Sequence, residues 1–202
     1  MYSTVDICNL ALSRLGDKNT VESLDKPTKQ AERVFAKWYD ITRRATLRRM
    51  MPSFAIRRKL WAKSAEKPEF GYSNAYEYRQ DCVKVLGIGN RDNPVTDYAV
   101  EGGFVLTNED FQTGLPVRYI ADVKDISKYS ENFIELFSLF LAYNVAPELT
   151  ESTARIKWLE SAIAMKTMEI MGIDSQENKP IIIKRGRLQE ARLGGTYGVR
   201  RK

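Results

Sequence analysis

Apolar residues recur at helical spacing from the start of the chain. The pattern predicts a helix over 4–15, which Ser3 or Thr4 can cap and which Gly16 can end. The repeating residues are Val5, Cys8, Leu12 and Leu15. Their spacing of three or four positions gives this helix one face for a core.

A longer apolar repeat follows a polar loop. It predicts a second helix over 28–50, which begins after Pro27 and ends before Pro52, because proline suits the first turn of a helix and cannot continue one. The residues assigned to its buried face are Ala31, Val34, Phe35, Trp38, Ile41, Ala45 and Leu47. We therefore expect this face to pack on the core along the whole helix.

The segment up to residue 130 changes character, because glycine and proline interrupt short β-type runs. These runs predict strands at 81–88 and 116–122 and a hairpin at 98–107, whose turn is the glycine pair at 102 and 103. We expect one small antiparallel sheet, inserted at about 66–123 between helices.

Helical periodicity returns after Ser130. It predicts a largely apolar helix over 131–146, ended by Pro147, and a last helix over 152–171, ended by Gly172. The expected fold class is α+β: a mainly helical bundle with an inserted small antiparallel β-sheet. Residues 1–172 form this domain, and 173–202 form an extended basic C-terminal arm.

The composition of the chain excludes some classes of catalytic and metal site. The chain has no histidine, which excludes histidine-dependent nucleophilic catalysis and histidine-ligated metal sites. We expect no cofactor and no metal, and we expect Cys8 and Cys82 to be reduced and buried. A signal peptide and a membrane-spanning run are not expected, so the expected compartment is the cytoplasm.

Positive charge is concentrated in two blocks within a net charge of +6. Residues 41–65 hold eight Lys or Arg and no acid, and residues 179–202 hold eight against the single acid Glu190. The first block allows three interpretations: a solvated helix face, contact with nucleic acid, or contact with an acidic protein. In the second block, a run of three isoleucines with basic flanks indicates a docking segment that adds as a strand, and the alternative is a solvated disordered tail.

Several motifs, in order, resemble one protein family. They are ICNLALSRLG at 7–16, VESLD at 21–25, AERVF at 31–35, FAIRRKL at 54–60, PEFGYSNAY at 68–76, DCVKVL at 81–86 and YIADV at 119–123. Together they resemble the head-to-tail adaptors of short-tailed phages, also called the tail tubular protein A family, over about 3–171. One departure is Tyr78-Arg79-Gln80, where relatives often have Leu-Pro before the next strand.

The resemblance implies a structural protein of the virion rather than an enzyme. Such a protein is a monomer until the portal protein orders it into a ring, of twelve copies in this family. The ring lies between the portal and the tail nozzle protein, extends the channel for genomic DNA without reading its sequence, and attaches the tail. It implies no membrane partner.

The same resemblance implies that the C-terminal arm contacts the portal. The residues expected to do so are Ile181, Ile182, Ile183, Lys184, Arg185, Arg187 and Arg192. A second contact, or a surface facing the channel, is expected from Arg43, Arg44, Arg48, Arg49, Arg57 and Arg58.

Two other functions stay open. One is a nucleic-acid-binding protein that uses both basic blocks. The other is a cell-wall glycan hydrolase, for which the acidic pairs Glu148 with Glu151 and Glu109 with Asp110 are the candidates.

Overall fold

The computed structural model describes residues 2–90 and 93–177, and the side chains of these residues as far as 170. The chain divides into two units, Met1–Thr167 and Met168–Lys202. The helices are α1 (Thr4–Leu15), α2 (Gln30–Met50), α3 (Glu131–Leu149) and α4 (Thr153–Glu177). The strands are β1 (Ile56–Trp61), β2 (Asn74–Glu77), β3 (Cys82–Gly89), β4 (Pro94–Val95), β5 (Tyr98–Glu101), β6 (Phe104–Thr107) and β7 (Leu115–Ala121). The predicted α+β class is confirmed.

The first helix begins at a reciprocal cap. The Ser3 hydroxyl accepts from the Asp6 N–H at 3.1 Å, and the Asp6 carboxylate accepts from the Ser3 N–H at 2.8 Å. Gly16 ends the helix with φ +74°, a conformation that costs glycine little. The predicted bounds of this helix are confirmed, and Ser3 is the cap.

Helix α2 buries a different face from the one predicted towards its C-terminal end. Ile41 is 57% exposed, whereas Thr42 and Arg43 are buried. The Thr46 hydroxyl donates to the Thr42 carbonyl at 2.8 Å, and the Asn144 amide donates to the Thr42 hydroxyl at 2.8 Å. Because hydrogen bonds satisfy these polar groups, the buried face continues with polar residues, and hydrophobicity alone misplaced it.

Two predicted helix ends are wrong. Helix α3 runs through Pro147 to Leu149, since a proline in the last turn removes one donor while the Thr150 N–H still reaches the Ala146 carbonyl at 2.8 Å. Helix α4 runs through Gly172 to Glu177, since an internal glycine lowers helix propensity by only about 1 kcal/mol.

The β region holds two antiparallel sheets rather than the single sheet predicted, and it begins earlier, at β1. The four-stranded sheet has the order β1-β7-β3-β4, and the three-stranded sheet has the order β2-β6-β5. The hairpin of β5 and β6 turns at the predicted glycines, both with positive φ. The predicted strands at 81–88 and 116–122 correspond to β3 and β7.

Aromatic rings fill much of the helical core. Phe133 on α3 lies 4.8 Å from Tyr129 and 5.2 Å from Phe54 between ring centroids, and Tyr39 on α2 lies 5.2 Å from Phe137. Helix α3 is buried on most sides, as its apolar sequence predicts. It is therefore the central element on which α1 and α2 pack.

Candidate interaction surfaces

The six arginines predicted as a second contact surface have different surroundings, and Arg43 is not at the surface. Arg43 is 3% exposed. Its Nε lies 3.0 Å from Oδ1 of Asp122 and its Nη2 lies 3.1 Å from Oδ2, a bidentate pair, while Nη1 contacts Asp40. The structure thus removes Arg43 from any contact or channel surface and makes it a link between α2 and the end of β7.

The acidic neighbours of Arg43 keep its guanidinium group charged. Burial disfavours the charged form of Arg43, but hydrogen bonds and charge from Asp122 and Asp40 outweigh burial, and the pKa of the guanidinium is raised. The Asp122 side chain is 8% exposed and also pairs with Arg44 at 3.1 Å. Two guanidinium groups therefore hold one nearly buried carboxylate.

The remaining arginines of α2 are anchored at the surface. Nη1 of Arg48 donates to the Val83 carbonyl of β3 at 3.0 Å, and the guanidinium of Arg49 lies 5.1 Å from the centroid of the Phe140 ring. Both side chains are exposed. These contacts join α2 to its neighbours and still leave positive charge accessible to solvent.

Arg57 and Arg58 are neighbours in strand β1 and lie on opposite faces of the sheet. Arg57 is half-buried, and its Nη1 donates to the Phe54 carbonyl at 2.8 Å and to the Ile56 carbonyl at 3.0 Å. Arg58 is exposed and lies directly opposite Arg118 of β7. Within the described part of the chain, the side chains of Arg58 and Arg118 have no hydrogen-bond or ion-pair partner. Of the six predicted residues, Arg58 is thus the one whose charge is freest.

Sequence reasoning missed Arg118 and Lys84, which share this sheet with Arg58. Each is a single cation within an otherwise uncharged strand, so neither belongs to a basic run. The available signal was alternation within the predicted strands, which puts Arg118 on one side and its buried neighbours Val117 and Tyr119 on the other.

The seven residues predicted to contact the portal lie outside the part of the chain that the structure describes. The seven are Ile181, Ile182, Ile183, Lys184, Arg185, Arg187 and Arg192. Their contact with the portal stays a prediction.

One member of each acidic pair proposed for hydrolysis is engaged in other contacts. Glu148 accepts from Nε1 of Trp38 at 2.8 Å and from Nζ of Lys37 at 3.0 Å, and these hydrogen bonds lower its pKa. Asp110 pairs with Lys63 at 2.6 Å. A general acid requires a raised pKa, so the surroundings of Glu148 disfavour that role.

The two cysteines are free and buried, as predicted. Burial raises the pKa of the Cys8 thiol to about 12, and burial also raises the pKa of Cys82. A thiol needs a low pKa to be a strong nucleophile at neutral pH, so both behave as small core residues.

An open depression of about 610 Å³ lies beside the end of β1. Its lining includes Tyr78, Arg79 and Asp81. The Asp81 carboxylate is held by Arg79 at 2.9 Å and by the Tyr119 hydroxyl at 3.1 Å. Burial alone would raise the pKa of Asp81, but these hydrogen bonds dominate and lower it, so the carboxylate is ionised and already paired.

The residues described contain neither a metal-binding cluster nor a membrane-spanning helix. No group of three or more Cys, Asp or Glu side chains there could hold a metal ion. In that same part of the chain, no helix combines the length and apolar character that crossing a membrane requires.

No protein-family model matches the chain, and no curated protein sequence matches it.

Proposed function

We propose that the chain is a head-to-tail adaptor of a short-tailed phage, with a structural rather than a catalytic role. Copies of it form a ring, of twelve in this family, between the portal and the tail nozzle. One observation carries the proposal: the β insertion lies between α2 and α3 of a helical bundle, which is the architecture that the motif resemblance implies. The protein would reside at the head–tail interface of the virion.

Exposed apolar side chains support a protein that assembles. Trp158 and Met165 of α4 are 48% and 72% exposed, and because they are seven positions apart they share one face of the helix. Phe70 is 87% exposed beside Gly71 in the loop between β1 and β2. Single exposed apolar residues are common, but a large aromatic ring this exposed suits insertion into a neighbouring surface.

The arm is proposed as the portal contact. Many copies docking on one symmetric partner offset the entropy lost when each arm becomes ordered. The three isoleucines supply backbone and apolar contacts, and the flanking cations supply charge.

Co-elution tests this function. The purified chain should elute as a monomer alone and as a larger complex with the portal protein of the same phage. Deletion of 179–202 should abolish the complex while leaving the monomer's thermal unfolding unchanged. A portal complex that forms equally well without the arm would remove the arm from the proposal, and no complex for the full chain would reject the adaptor role.

A further inference from the structure

The outer face of the four-stranded sheet carries cations from three adjacent strands. Residues paired across antiparallel strands point to the same side, so the strand register identifies the members of this face. From the pairings of β1 and β3 with β7, the outer sheet face consists of Ile56, Arg58, Leu60, Lys84, Gly87, Pro116, Arg118 and Ile120. The opposite side carries the buried Trp61, Leu115, Val117 and Tyr119, together with Arg57, which is half-buried, and Lys59, which is exposed.

Solvent reaches the outer sheet face around Arg58 and Arg118, whereas Ile120 at one end of it is fully buried. Arg58 and Arg118 are exposed, and Leu60 beside them is 57% exposed. A Cβ added at Gly87, the β3 partner of Arg118, would meet nothing within 4 Å. The surface next to the guanidinium groups of Arg58 and Arg118 is therefore open to solvent.

Charge on this sheet is positive without compensation. Strands β1, β3 and β7 carry five cations and no aspartate or glutamate; Arg58, Lys84 and Arg118 belong to the outer sheet face, and Arg57 and Lys59 to the opposite side. Like charges directly opposite each other destabilise an antiparallel pair, so Arg58 and Arg118 weaken the folded monomer. Arg48 adds charge at the border, since it donates to Val83, the neighbour of Lys84.

We propose that the outer sheet face binds the phosphate backbone of duplex nucleic acid through Arg58, Arg118 and Lys84, without reading its sequence. Adjacent strands lie about 4.8 Å apart and alternate residues about 7 Å apart, a spacing that lets several phosphates be neutralised together. The residues of the face offer no aromatic ring for stacking single-stranded bases. Duplex backbone is thus the polyanion that this chemistry fits.

An acidic protein segment is the competing occupant. Protein interfaces depend on a buried apolar or aromatic centre, and Leu60 is the one large exposed apolar residue of this face in the part of the chain described. The binding goes beyond the adaptor role, because it belongs to the single chain and requires neither portal nor ring.

The test compares two variants of the full chain that lose the same charge. R58Q/R118Q alters the outer sheet face, and R33Q/K157Q alters exposed cations elsewhere. Binding to a labelled duplex of mixed sequence is followed by fluorescence anisotropy over a range of salt concentrations. We expect R58Q/R118Q to raise Kd roughly tenfold and to reduce the salt slope by about 2, whereas R33Q/K157Q stays within about twofold of the parent. The C-terminal arm is present in all three proteins, so its own affinity cancels.

Thermal unfolding separates lost binding from lost folding. Tm of R58Q/R118Q should equal or exceed that of the parent, because a repulsive pair is removed. Equal weakening of duplex binding by both variants, or unchanged binding in R58Q/R118Q, would overturn the proposal. It would also be overturned if R58Q/R118Q lost binding to polyglutamate but kept its duplex affinity, since the face would then suit an acidic protein.

Discussion

At the scale of single residues, charges in the interior hold parts of the fold together. The Arg43–Asp122 pair joins the middle of α2 to the end of β7, residues far apart in sequence. Desolvation of both groups offsets much of their attraction, so the pair specifies position more than it adds stability. Removing one partner has a larger effect, because the other is left charged and buried.

Asp122→Asn tests this link. We expect the free energy of unfolding to fall by about 3 kcal/mol, since Arg43 would keep its charge without its buried carboxylate partner and would retain only the exposed Asp40. Urea denaturation measures the change, and Asp25→Asn is the matched control, because Asp25 is exposed in a loop. A loss below about 1 kcal/mol for Asp122→Asn would show that the pair contributes little.

Glu32 makes a pH-dependent contribution to the stability of the folded state. Backbone N–H groups of Lys29, Glu22 and Thr28 donate to its carboxylate and lower its pKa from 4.5 to about 2. Because the folded pKa is the lower one, the stabilisation is complete above about pH 4.5 and is lost as pH falls towards 2.

Glu32→Gln should therefore lower Tm by a few degrees at pH 7, and the gap to the parent should narrow as the pH falls below 4.5. Thermal unfolding across this range measures it. Glu131→Gln, in the exposed first turn of α3, is the control and should show a smaller gap. A gap that is constant with pH would contradict the assignment.

At the scale of elements, the glycine before β7 permits close strand packing. Gly114 has φ +104°, and a Cβ there would lie 2.9 Å from the Trp61 carbonyl oxygen of β1. Gly71 also has a positive φ, +86°, but a Cβ there would meet nothing within 4 Å. Alanine at Gly114 would therefore add a steric clash to the strain of a positive φ, whereas alanine at Gly71 would add only the strain.

We expect Gly114→Ala to lower the free energy of unfolding by about 2–3 kcal/mol, and Gly71→Ala by about 1 kcal/mol. Chemical denaturation of both variants makes the comparison. Equal losses would mean that the β1–β7 contact has room for a methyl group.

Local sequence patterns predicted elements well and long-range pairing poorly. The bounds of α1 and the β5–β6 turn follow from capping residues and glycines, which act within a few positions. The division into two sheets and the pairing of Arg58 with Arg118 depend on register between distant strands, which no local pattern determines. Burial of Arg43 was missed because its partner, Asp122, becomes a neighbour only after folding.

At the scale of the whole molecule, the described fold combines a helical core with two sheets, and different parts of its surface differ in chemistry. The outer sheet face is basic, whereas α4 and the loop at Phe70 expose apolar residues. Under the proposed function, these surfaces would serve different contacts: apolar ones between proteins and basic ones towards DNA. The two proposals are nevertheless tested separately, because duplex binding needs only the monomer.

Electron microscopy of the full chain mixed with the portal protein of the same phage tests the adaptor role most directly. The account predicts separate monomers without portal and, with portal, closed rings of the chain coaxial with the portal ring. Rings that form without portal would contradict the ordered assembly, and portal particles that carry no added ring would contradict the adaptor role itself.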